Sequence, residues 1–140
     1  MAETARRELV DADVELESLE LVHDLLEEWW PAVGEVPMQR RFAFETAVIE
    51  IAGNVVEHSR RLDGAPGRRF SLVLEADDRS LRARFEDNGL PAQVDLSTVT
   101  MASLDEEDGR GLALALVSLD RLEHLLVDGK NVWELECGRA

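Results

Sequence analysis

Between residues 60 and 70 the spacing of apolar side chains changes from three or four to two, and this switch limits the chain more than any other feature. Before it, Leu19, Val22, Leu26 and Trp29 recur at helical steps, as do Phe44, Ala47/Val48, Ile51 and Val55. After "RLDGAPGRR", a loop by composition, Phe70, Leu72, Leu74 and Ala76 alternate with polar residues. In "LRARFED", Leu81, Ala83 and Phe85 alternate with Arg82, Arg84 and Glu86. With "DDRS" between them, these two runs predict a β-hairpin with one apolar face.

The rest of the chain is placed around that hairpin. A short first strand is expected near "RELV", then a helix from about Val14 to Trp30 before Pro31, and a second from about Gln39 to Arg60. The polar stretch from about Gln93 to Asp108 has no apolar period and exceeds the usual connection length, so it reads as a functional loop or an insertion. "GLALALVSLDR" predicts a third helix, and "LEHLLVDGKNVWELEC" a closing hairpin that turns near Gly129. The order β-α-α-β-β-α-β-β implies an α+β two-layer sandwich, a mostly antiparallel sheet with helices packed on one face. At 140 residues and 45% apolar content, residues 1–140 are expected to form one domain around one core.

Charge and composition exclude several function classes. With 30 acidic against 15 basic side chains and a formal charge of -15, the chain would repel phosphate backbones, so direct nucleic-acid binding is not expected and a basic protein partner fits better. No apolar run approaches the roughly 20 residues that span a bilayer, and "MAETARRELVDADVE" lacks the apolar centre of a signal peptide. A cytoplasmic protein without membrane contact is the expectation. One cysteine, Cys137, rules out an internal disulfide, and His23, His58 and His124 lack metal-ligand spacing. Lysine occurs once, as Lys130, which leaves no P-loop or Schiff-base lysine in an evident motif. Trp29 and Trp30 are candidates for the core or for an interface.

Three short stretches carry chemistry. In "ETAVIEIAGNVVEHSRR", Glu50, Asn54 and His58 fall four residues apart, so they line one edge of the second helix beside its apolar stripe. That edge is either merely solvated, or a proton-accepting carboxylate next to an amide oxygen suited to a hard cation. Gly53 weakens the helix by about 1 kcal/mol against alanine, which a closely approaching ligand or tight helix packing would offset. In "FEDNGLP" a strand ends at Asp87, and Gly89 leaves room for a flat ring; the alternative is a plain turn. In "DGRGLALAL", Gly109 and Gly111 flank Arg110 at a helix start, an arrangement that frees backbone N–H groups for an anion or gives a flexible helix entry. It fits neither a P-loop nor a dinucleotide fingerprint, because no GK[ST] follows and Leu114 stands where glycine or alanine is needed.

Taken in order, "EIAGNVVEH", "DNGLP" and "GRGLALAL" resemble the N box and the two glycine boxes of the GHKL ATPases, in particular the bacterial anti-sigma-factor serine/threonine kinases. The resemblance covers nearly the whole chain and implies the Bergerat ATP-binding fold. It implies ATP and Mg2+ as cofactors, with Glu50 as general base, Asn54 as Mg2+ ligand, Asp87 and Gly89 at adenine, Gly109, Arg110 and Gly111 at the triphosphate, and His58 in support. The loop from Gln93 to Asp108 would be the ATP lid. The implied partners are a sigma factor and a STAS-type anti-sigma-factor antagonist as substrate, with a homodimer as the assembly. Pro91 stands where the wider superfamily has a second glycine, as is usual in the anti-sigma branch, and Asn131 where many relatives have a threonine near adenine. The alternatives are a nucleotide-binding interaction module without phosphotransfer, and a detached sensor-kinase ATPase domain, which the absence of a phosphoacceptor helix disfavours.

Overall fold

A computed structural model describes residues 5–62, 67–91 and 110–140, apart from the side chains at 59–62 and 110–112. The elements follow the expected order: β1 (Ala5–Asp13), α1 (Ser18–Val33), α2 (Met38–Leu62), β2 (Arg69–Ala76), β3 (Ser80–Asp87), α3 (Arg110–Ser118), β4 (Arg121–Val127) and β5 (Lys130–Gly138). The five strands form one antiparallel sheet in the order β1-β2-β3-β5-β4, so β3 lies at the centre.

Strict alternation gives the sheet two unlike faces. Phe70, Leu72, Leu74 and Ala76 of β2 and Leu81, Ala83 and Phe85 of β3 are buried with Trp133, Leu135 and Cys137 of β5 in one apolar core. The helices cover that face: Val22, Leu26 and Trp29 of α1 and Phe44, Val48, Ile51 and Val55 of α2 belong to the same core. The other face carries Glu75, Arg82, Arg84, Glu134 and Glu136 around an open concavity of about 500 Å³. This is a two-layer α+β sandwich, as the change of period implies.

Several boundaries differ from the sequence reading, each for a local reason. Helix α1 continues through Pro31 to Val33. A proline near a helix C-terminus forfeits only one backbone bond, and burial of Val33 extends the apolar stripe. Gly34 then ends the helix with φ 90°, its N–H donating to the Trp30 carbonyl at 3.2 Å. Both tryptophans belong to the core: their rings lie 4.8 Å apart, and Phe44 packs 5.5 Å from Trp29 and 6.2 Å from Trp30. Helix α3 stops at Ser118 rather than near Arg121, which already pairs with Glu136 in the sheet. The closing hairpin turns on Asp128 (φ 52°) and Gly129 (φ 78°), two positive φ values that a two-residue turn between twisted strands requires.

Candidate functional site

The three candidate segments are carried by α2, by the end of β3 and by the start of α3. Asp87 closes β3 on its helix-facing side, directly opposite Asn131 at the beginning of β5. It is 4% exposed, and Asn131 1%. A buried carboxylate needs donors, and Asp87 Oδ1 has two: the Gly89 backbone N–H at 2.9 Å and Asn131 Nδ2 at 3.0 Å. Its Oδ2 has no hydrogen-bond partner among the described residues, and it is not among their fully occluded, unpaired atoms. Gly89 is itself buried.

Asn88 explains why the chain turns there. Its side-chain oxygen accepts the Arg69 N–H at 2.8 Å, and its amide donates to the Gly67 carbonyl at 3.3 Å, which binds the exit of β3 to the entry of β2. The Arg68 guanidinium caps the Asn88 carbonyl at 2.7 Å. Asp87 and Gly89 are therefore presented from a braced loop.

Helix α2 meets this loop through His58, whose Nε2 lies 3.0 Å from the Leu90 carbonyl. A carbonyl only accepts, so that nitrogen carries the proton. Asn131 Nδ2 reaches the same carbonyl at 2.9 Å. From this junction the polar edge runs back along α2 through Asn54 to Glu50, at about 6 Å per four-residue step. Glu50 and Asn54 are half-buried, and neither side chain makes a hydrogen bond among the described residues. Among the described residues a Cβ at Gly53 would meet nothing within 4 Å, so close packing against them does not account for that glycine.

Arg110 opens α3 and Gly111 lies inside its first turn, so the helix begins one residue before the glycine expected to precede it. Helix α3 packs against α2. Gly109, the side chain of Arg110 and the loop from Gln93 to Asp108 lie outside the described residues. The structure thus brings together His58, Asp87 and Gly89. The sequence reading missed the part played by His124: its Nε2 lies 3.1 Å from Asn131 Oδ1 and its ring 4.7 Å from that of Trp133. Its only signal in sequence was an imidazole on a strand face one turn before Asn131.

A braced, buried carboxylate thus stands at the end of the central strand, near a helix edge on which His58 meets the Leu90 carbonyl while Glu50 and Asn54 make no hydrogen bond among the described residues. The sequence model of the histidine kinase-like ATPase domain matches residues 12–133, and the chain belongs to this GHKL ATPase family, whose members bind ATP. Among solved structures, the RsbU and RsbW domains of Rv1364c from Mycobacterium tuberculosis share the fold, with a TM-score of 0.66 at 18% identity. The match covers 96% of this chain and 33% of that one, so the chain spans about a third of that protein's chain. No curated protein matches the sequence.

Proposed function

We propose that the chain, residues 1–140 as one ATPase domain, is an anti-sigma regulator with ATP-dependent serine/threonine kinase activity on an anti-sigma-factor antagonist. The observation that carries this reading is the His58–Leu90 contact at 3.0 Å, which joins the polar edge of α2 to the loop that presents Asp87. Asp87 Oδ2, Glu50 and Asn54 then offer oxygen atoms along one border, without partners among the described residues. Such oxygens suit an adenine amino group and a hard cation.

No group of three or more His, Cys, Asp or Glu among the described residues could hold a metal. Asn54 is the residue that would hold Mg2+, through its side-chain amide oxygen. Bound there, it supplies positive charge against the transferring phosphoryl group. Glu50 accepts the proton of the antagonist's serine or threonine hydroxyl as that oxygen attacks the γ-phosphorus and the bond to the ADP oxygen breaks. Arg110 and the backbone N–H groups at the start of α3 donate to phosphate oxygens.

The added phosphate charge expels the antagonist and frees the chain to hold a sigma factor in the cytoplasm, as a homodimer. The excess of 30 acidic over 15 basic side chains complements a basic sigma-factor surface. Transfer of labelled phosphate from ATP to a STAS-type antagonist tests the reading. Glu50→Gln is expected to slow transfer by about 100-fold or more, the usual contribution of a general base. Transfer at the wild-type rate would remove Glu50 from that role. Mg2+-dependent ATP binding without any transfer would instead support an interaction module.

A further inference from the structure

The amide of Asn131 has only one orientation that satisfies its neighbours. On one side it faces Asp87 Oδ1 at 3.0 Å and the Leu90 carbonyl at 2.9 Å. Both are acceptors, so the NH2 group must point there and the amide oxygen away. That oxygen meets His124 Nε2 at 3.1 Å, and because an amide oxygen only accepts, the proton sits on Nε2. His124 is in turn held by its ring contact with Trp133. Side chains on two strands, His124 of β4 with Asn131 and Trp133 of β5, therefore fix how one buried carboxylate on β3 stands.

The consequence concerns the other carboxylate oxygen. Two donors on Oδ1, from Gly89 and Asn131, oppose rotation of the carboxylate plane and leave Oδ2 as the acceptor on offer. An acceptor fixed in space attracts an amino group and repels a carbonyl oxygen in the same place. A carboxylate free to turn, or drawn back toward an unsatisfied neighbour, discriminates less. We infer that Asn131, aligned by His124, is the positioning residue that makes Asp87 prefer a 6-amino over a 6-oxo purine nucleotide. This rests on the proposal that the site takes ATP, and adds to it the residues that set base selectivity.

The test compares dissociation constants for ATP and ITP, which differ at the 6-position, in the presence of Mg2+. Wild type binds ATP more tightly. Asn131→Leu is expected to reduce the ATP:ITP affinity ratio by about tenfold, the scale of one hydrogen bond to a charged group. His124→Phe keeps a ring against Trp133 but removes the donor to Asn131, and is expected to reduce the ratio about threefold; it carries the test if the Leu variant fails to fold. If both variants weaken ATP and ITP equally and keep the ratio, Asn131 and His124 are structural only and the inference is overturned. If wild type binds no ATP, or Asp87→Asn keeps the wild-type ratio, the reading of the site itself fails, and the inference with it.

Discussion

Asp87 and Cys137 both stand on the helix-facing side of the sheet, and their surroundings treat charge in opposite ways. Asp87 sits among N–H donors that match its carboxylate. Cys137 is buried in the apolar core, where burial pushes its thiol up, the Arg40 side chain only partly opposing this. A thiol with a raised pKa has less thiolate at any pH, and a buried one must wait for the structure to open. In native buffer Cys137 is expected to react with a disulfide reagent at least about 100-fold more slowly than in denaturant. Labelling at the free-thiol rate under native conditions would contradict that burial. Asp87 was legible in the sequence as a candidate because a carboxylate, an amide and a glycine stand next to one another. Its support was not: Asn131 lies 44 positions away and His124 seven from Asn131, and only strand pairing brings them together.

Among the elements, the β2–β3 hairpin was read from its alternation almost to the residue, since a period of two survives any tertiary context that buries one face. Its turn has its own logic. Asp77 Oδ1 accepts the backbone N–H groups of Arg79 at 2.8 Å and Ser80 at 2.9 Å, and Oδ2 accepts Arg82 at 2.9 Å. The Arg82 guanidinium first, then those N–H groups, hold the Asp77 carboxyl well below the usual carboxylate range. A depressed folded pKa stabilises the protein above the unfolded value near 4, and that contribution is lost as pH falls toward the folded value. Asp77→Asn should lower the Tm at pH 7 by about 2–4 °C, a modest amount because both side chains of the pair are partly exposed to solvent. The gap between variant and wild type should shrink below about pH 4, as thermal melts across that range would show. Helix ends were less legible: Pro31 signals a stop, yet the buried Val33 keeps the helix going, a tertiary effect that local propensity does not contain.

At the scale of the whole molecule, Arg139 ties segments that have no neighbourhood in sequence. Its guanidinium donates to the Val33 carbonyl, to Glu35 O at 3.3 Å and to Asp77 O at 2.7 Å, while its backbone N–H reaches Arg79 O at 2.9 Å. The end of α1, the hairpin turn and the last strand are thereby joined by one planar fork, a geometry that lysine does not reproduce. Arg139→Ala should cost about 1–3 kcal/mol in denaturant unfolding, and Arg139→Lys should recover only part of it. Equal stability of Ala and wild type would show the contacts to be incidental. Nothing in the sequence marked this arginine, because its acceptors are backbone carbonyls that any residue supplies. A related consequence follows from the central place of β3, whose second neighbour, β5, is drawn from the far end of the chain. While the polypeptide emerges from the ribosome, one side of β3 stays open until the β4–β5 hairpin arrives, so the corner where Asp87 meets Asn131 is among the last of the described parts to be assembled.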